Sequence, residues 1–307
     1  MFALALLGLG LAAAQAPGPT QLDPYGANSI RVRVAPAGGA ITEPPLQALA
    51  GTPPSQGAPA AGDGVLTLSN GNLRVALDPV TALLTATRLS DGAVLLQQTA
   101  LTFGAPDVPG TRAGSVSASV TFAGTPGEKV YGLGEHRTGT VQQLPYAKRF
   151  ADSQDYAQSH GSDVSIPWYA SSKGYGFVWN SPAYGSVSIT EEAITWTANA
   201  TLGVDVWITT TPADFDPASG VSPYAPLLSQ YVDAVGHAPT MPYYATGFIQ
   251  CKDRYRNQSR ACARGACPWC SLLRLLAHFS HTYSLHTQSC LTWRGATLSA
   301  GCPSVLS

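Results

Sequence analysis

The chain has 307 residues, of which 45% are hydrophobic and only 11% charged, with a formal net charge of -1. That content supplies a sizeable core and excludes global disorder, and the length allows one large domain or two ordinary ones. The near-neutral balance gives no electrostatic basis for a nucleic acid or an anionic membrane as partner.

The first predicted element is a signal peptide over residues 1–16. Residues 2–14 are almost wholly apolar, and Ala14-Gln15-Ala16 has the small-x-small form of a cleavage site. The run is too short to span a bilayer as a helix. Its n-region has no Lys or Arg and Pro17 would follow the cut, so an uncleaved apolar start is the alternative. The expected location is secreted or within the secretory-pathway lumen. Residues 17–212 carry the pattern of strands and turns. Ile30-Arg31-Val32-Arg33-Val34 alternates strictly, which puts Ile30, Val32 and Val34 on one face. Residues 35–63, rich in Ala, Pro and Gly, read as a loose loop. Strand-type runs follow at 65–68, 73–77, 83–88, 93–97, 116–122, 175–180, 186–190, 193–198 and 205–210. Turn chemistry separates them at Asn70-Gly71-Asn72, Asp91-Gly92, Pro126-Gly127 and Asn180-Ser181-Pro182. Many short strands at this spacing predict a mainly β fold, an antiparallel β-sandwich.

The pattern changes at residue 213. Residues 223–235 place Leu227, Leu228, Tyr231, Val232 and Val235 at helical spacing, with Gly236 at the C-cap position. The apolar run 243–250 is predicted to be a buried strand. Residues 213–258 therefore read as the start of an α/β domain, and a chain ending near Pro212 is expected to be more soluble than the whole. A compositional break follows Gln258. Residues 259–307 hold no Asp or Glu and five of the six cysteines; the upstream residues hold all 18 acidic residues and only Cys251. Cys262, Cys267 and Cys270, with His278, His281 and His286 downstream, have a metal-like arrangement, and zinc needs four such ligands. The spacing matches no structural zinc module, and in an oxidising compartment the thiols would pair or oxidise. Residues 259–307 are read as an atypical Cys-rich tail not selected for folding, disordered or the product of a shifted frame. A disulfide-linked extension and a metal site are the alternatives; no metal and no cofactor is assigned.

Several motifs stand in order along residues 130–258. They are Val130-Tyr131-Gly132-Leu133-Gly134-Glu135, Ile166-Pro167-Trp168-Tyr169, Ser172-Lys173-Gly174-Tyr175-Gly176-Phe177 and Asn180-Ser181-Pro182. Tyr231, Gly236, Pro239, Met241-Pro242, Gly247-Phe248-Ile249-Gln250 and Lys252-Asp253-Arg254-Tyr255-Arg256-Asn257-Gln258 continue them. Together they resemble the N-terminal domain of glycoside hydrolase family 31, the α-glucosidase and α-xylosidase family. The resemblance implies a galactose-mutarotase-like β-sandwich followed by the first helix and strand of an incomplete (β/α)8 barrel. It also implies retaining hydrolysis of α-glycosides by two carboxylates. In the family both come from barrel strands far downstream, the nucleophile in a Trp-x-Asp-Met-Asn-Glu-like or Lys-x-Asp-x-x-Glu-like motif. Neither motif occurs here, so no catalytic residue is assigned. The chain reads as a fragment of an α-glycosidase that does not hydrolyse on its own; a non-catalytic carbohydrate-binding or interaction module is the alternative.

In the family, a loop from the part of the sandwich corresponding to residues 137–160 overhangs the barrel mouth. This makes Tyr146, Arg149, Asp155 and Tyr156 candidate sugar contacts, because sugar recognition combines aromatic faces with charged hydrogen-bonding groups. A polar loop without ligand is the alternative. Gln250 would lie near the C-terminal end of the first barrel strand, the catalytic face of such barrels; Lys252, Arg254 and Arg256 after it read as a solvated cluster. Glu135 is read as structural, its neighbouring glycines letting the backbone bend between sheet and loop. Asp152 and Asp155 stand three apart, which fixes nothing in a loop. The expected partner is a carbohydrate, an α-glucoside or α-xyloside. Asn199-Ala200-Thr201 and Asn257-Gln258-Ser259 have the form of glycosylation sequons.

Overall fold

The computed structural model describes residues 15–43, 48–51, 53, 55, 58, 60–61, 66–78, 80–108, 111–135, 146–150 and 164–247. Their strands are β1 (Pro17–Pro24), β2 (Ser29–Pro36), β3 (Ala60–Ala61), β4 (Leu66–Asn70), β5 (Leu73–Leu77), β6 (Leu84–Arg88), β7 (Val94–Gly104) and β8 (Val116–Ala123). They continue as β9 (Val130–Glu135), β10 (Tyr146–Phe150), β11 (Val164–Ser171), β12 (Tyr175–Trp179), β13 (Gly185–Ile189), β14 (Ala193–Thr201) and β15 (Val204–Thr210). One sheet runs β3-β1-β2-β15-β12-β11-β9 and the other β10-β13-β14-β8-β7-β6-β5-β4. Neighbouring strands are antiparallel, as predicted. β1 and β3 lie against β4, so β9 and β10 end the two sheets on the opposite side.

The sheets close on each other through their alternating apolar positions. β4, β5 and β8 bury every second residue, the signature of a sheet with one wet face. Between the layers runs an aromatic seam. Trp196 of β14 meets Tyr169 of β11 and Phe177 and Trp179 of β12 with ring centroids 6.2, 5.5 and 5.9 Å apart. Phe122 of β8 adds an edge-on contact to Phe177 at 5.4 Å. β12 and β15 break the alternation, because each is buried at every position. Their second face is covered by the helix α1 (Tyr224–Val235) and by Leu49.

The helix predicted over residues 223–235 packs on the sandwich: Leu227 and Ala234 are buried against Trp168, Val178 and Trp207, within one compact unit that reaches His237. The reason is the apolar second face of β12 and β15, which needs a cover; only Leu228 of the predicted stripe is left 54% exposed. The helix ends as expected at Gly236, whose φ is 101° and whose N–H donates to the Val232 carbonyl at 2.9 Å. Within the stretch 35–63, described residues are anchored at three places. Its first residues complete β2, Glu43 is held by Arg31 and Arg33, and Leu49 is 2% exposed. A second unit covers residues 238–307. In it, Tyr243–Thr246 forms a 3-10 turn where a strand is predicted, with Thr246 Oγ1 donating to the Tyr243 carbonyl at 2.7 Å. Phe248, Ile249 and Gln250 lie outside the described residues.

Candidate functional site

The candidate sugar-contacting segment lies between Glu135, the last residue of β9, and Val164, the first of β11, two residues paired across the sheet. Within it, Tyr146 and Arg149 belong to β10, an edge strand rather than the predicted continuous loop, at register positions opposite Ile189 and Ser186. The structure therefore brings these two candidates to the end of one sheet, on the side where β9 ends the other. Asp155, Tyr156, Asp152 and Gln250 lie outside the described residues, as do Lys252, Arg254, Arg256 and the cysteines and histidines of the tail. Among the described residues no group of His, Cys, Asp and Glu is arranged to hold a metal ion.

The motifs that punctuate the sequence turn out to build the frame on which this segment is mounted. In β9, Gly132, Leu133 and Gly134 all have positive φ, at 130°, 68° and 100°. A Cβ at Gly132 would also lie 2.6 Å from the Trp168 carbonyl oxygen, so glycine is required there twice over. Opposite Leu133, β11 carries a bulge. Gly134 pairs with Ser165 and Gly132 with Tyr169, which leaves Ile166, Pro167 and Trp168 facing a single residue. A bulge accommodates Pro167, which has no N–H to give a ladder. The bent β9 and the bulged β11 flank the segment between them.

Trp168 is the hinge pin of this arrangement. Its ring stacks on Tyr231 of α1 at 4.4 Å and lies 6.0 Å from that of Trp207. Room for it exists because position 176 is glycine: a Cβ there would approach Trp168 Cη2 to 2.1 Å. Tyr131 of β9 reaches the same helix, with its ring edge-on to Tyr224 at 5.2 Å. Thus Trp168, Gly176 and Tyr231, from three separate motifs, form one contact that fastens α1 to the sheet beside the candidate segment.

Two buried carboxylates lie in the frame, and both are committed to it. Asp205 accepts from Arg31 Nε and Nη2 at 3.0 and 2.7 Å and from Asn180 Nδ2 at 2.7 Å. Burial pushes its carboxyl pKa up, against the opposing pull of Arg31 and Asn180. Burial also works against the Arg31 cation, but the bonds and charge of Asp205, then of Glu43, outweigh it and raise its pKa. The Asn180 side-chain oxygen accepts from the Ala48 N–H at 2.9 Å, so the Asn-Ser-Pro motif ties the 35–63 stretch to the sheet. The second carboxylate, Glu128, accepts from Ser171 Oγ and from Tyr175 OH, the latter at 2.7 Å. Lys173 Nζ donates to the Leu95 carbonyl and Thr125 Oγ1 at 3.0 and 3.2 Å, and burial lowers its pKa. These bonds leave neither carboxylate free as nucleophile or acid.

A cleft of about 190 Å³ of mixed lining opens between the end of β2 and the β14–β15 turn, with Arg33, Arg112 and Asn180 beside Ile41, Pro182 and Leu202. Sequence reading missed it because its walls come from five separate stretches. The pairing of Arg31 with Asp205 was legible in part: opposite charges in two largely apolar strands need a partner once both strands are buried.

Comparison with known proteins follows the same outline. Residues 19–187, more than half of the chain, match the model of the glycosyl hydrolase 31 N-terminal galactose mutarotase-like domain. An uncharacterised family 31 glucosidase of Pseudescherichia vulneris is 32% identical over 263 residues, covering 78% of this chain and 45% of its own. Alpha-xylosidase A of Aspergillus niger is 31% identical over 145 residues, covering 47% of this chain and 17% of its own. Among solved structures, a family 31 α-xylosidase from a soil metagenome, complexed with xylose, aligns with a TM-score of 0.60 at 26% identity, covering 83% of this chain and 39% of its own. The chain thus spans less than half the length of these relatives. The motif frame, the two-sheet topology and these matches agree, and the chain belongs to glycoside hydrolase family 31.

Proposed function

We propose that this chain carries the accessory sandwich of a retaining α-glycosidase acting on an α-xyloside or α-glucoside, and that it contributes sugar contacts rather than catalytic groups. The observation that carries this reading is the commitment of Asp205 and Glu128 to buried structural bonds. Retaining hydrolysis needs two carboxylates about 5–5.5 Å apart, one to attack the anomeric carbon and one to exchange protons with the leaving oxygen and water. Family membership and the xylosidase relatives support the substrate class. Tyr146, Arg149, Asp155, Tyr156 and Gln250 are the proposed sugar-contacting residues. Entry into the secretory pathway is part of the reading: a cut after Ala16 would leave Pro17, the first residue of β1, at the new N-terminus. No helix among the described residues is long and apolar enough to cross a membrane.

The test is paired. The purified 307-residue chain is assayed with nitrophenyl α-xyloside and α-glucoside, and the binding of xylose and glucose oligosaccharides is measured by calorimetry. Binding without turnover, weakened by Arg149→Ala or Tyr156→Ala, is the expected result. Turnover blocked by a mechanism-based nucleophile trap would refute the non-catalytic assignment, and absence of any sugar binding would refute the contact role.

A further inference from the structure

Asn199 stands in a β-bulge near the end of β14. Ala198 pairs with Ala118 of β8 and Thr201 with Val116, so Asn199 and Ala200 together face the single residue Ser117. The bulge takes Asn199 out of the ladder, and its backbone is satisfied from elsewhere. Its N–H donates to the Tyr184 carbonyl at 2.7 Å, and its carbonyl accepts from the Asp107 N–H at 2.9 Å. The residue is partly buried, and no hydrogen bond of its carboxamide is found among the described residues. Asparagine in an irregular backbone ordinarily uses its side chain to bond a nearby backbone group. Here that role is taken by Thr201, whose Oγ1 donates to the Gly203 carbonyl at 2.8 Å. Bulges re-aim side chains at the sheet margin, and Tyr184 beside this one is 57% exposed.

An idle carboxamide on a partly exposed residue of an Asn-Ala-Thr triplet is what the folded product of N-glycosylation requires: the acceptor nitrogen has no competing bond, and the backbone around it is fixed without it. We infer that Asn199 is an N-glycosylation site, an inference that rests on the secretory reading above. The donor is a lipid-linked oligosaccharide diphosphate presented by the lumenal transferase. Asn199 Nδ2 forms a bond to the anomeric carbon of the first sugar as the bond from that carbon to the diphosphate oxygen breaks. The lipid diphosphate leaves with the electron pair, and one amide proton passes to base.

The full chain is translated with endoplasmic-reticulum microsomes, then tested for protease protection and for a mobility shift removed by peptide N-glycanase. Expected is a protected chain whose Asn199 peptide is converted to Asp on glycan release. The corresponding shift is lost in Asn199→Gln and Thr201→Ala, retained in Thr201→Ser, and unaffected by Asn257→Gln. A protected chain whose Asn199 peptide is unmodified, or whose whole shift disappears in Asn257→Gln, overturns the site while leaving the secretory reading intact. An unprotected chain overturns both.

Discussion

Replacing Gly176 by alanine isolates the contact that fastens α1 to the sandwich. The backbone at 176 is not in the left-handed region, so on conformational grounds alone alanine should stabilise by about 0.4–1 kcal/mol through the unfolded chain. The packing argues the other way. The new methyl would lie 2.1 and 2.5 Å from Trp168 Cη2 and Cζ3 and 3.0 Å from Thr209 Cγ2. Trp168 has little freedom to retreat, with Tyr231 stacked at 4.4 Å and Trp207 at 6.0 Å. Overpacking costs about 1–3 kcal/mol, and a lost aromatic stack about 0.5–1.5 kcal/mol more. The expected net is a loss of about 2 kcal/mol, equivalent to roughly 4–8 °C in Tm for a domain of this size. Thermal unfolding followed by near-ultraviolet circular dichroism reads both the stability and the tryptophan environment. Trp168→Phe supplies the control: in that background the methyl has room, and the Gly176→Ala penalty should largely vanish. A Gly176→Ala protein as stable as the parent, or an equal penalty in both backgrounds, would refute the reasoning.

Arg31→Met should cost about 3–5 kcal/mol in urea unfolding because it strands the buried Asp205 carboxylate, whereas Arg31→Met with Asp205→Leu should recover most of that loss; a double variant worse than the single one would contradict this. Tyr169 and Tyr175 have phenol pKa values raised by burial. Their stabilising contribution is therefore complete below the unfolded value of 10.0 and is lost as pH rises through the folded ones. Ultraviolet titration should show both staying un-ionised after the exposed tyrosines titrate, until the protein unfolds. Glu43 behaves oppositely: burial opposes its ionisation, but the bonds and charges of Arg31 and Arg33 win and lower its pKa. Its contribution is present above the unfolded value of 4.5 and fades as pH falls through the folded one. Glu43→Gln should lower the urea midpoint at pH 7 and match the parent in acid. A chain ending at Pro212 should be less soluble than one ending at His237, because it uncovers Trp168, Val178 and Trp207; comparison of soluble yields checks this.

Where α1 would pack was not legible in the sequence, and the reason is physical. Periodicity reports whether a segment has an apolar face but not which surface receives it. The stripe at Leu227 and Tyr231 announced a helix correctly; the partner was hidden because β12 and β15 read only as two more strand-type runs, with nothing to mark that both their faces are buried. The central runs 73–77, 116–122 and 205–210 were legible because alternation or continuous apolarity marks them. β10 was not, since Tyr146-Ala147-Lys148-Arg149-Phe150 takes its strand form from pairing with β13 at a sheet edge, a tertiary cause. Of the candidate site, sequence motifs marked the frame, and the proposed sugar contacts rest on resemblance. The cleft was invisible because no local pattern links Arg33, Arg112 and Asn180.

The two sheets place unequal demands on the chain's future divergence. In β4, β5 and β8, every second position faces outward and can drift with little effect on the fold. In β12 and β15 no position is spare, so acceptable replacements must keep volume on both sides at once. Homologues of this protein should therefore keep their identity along two adjacent strands long after the rest of the sandwich has diverged.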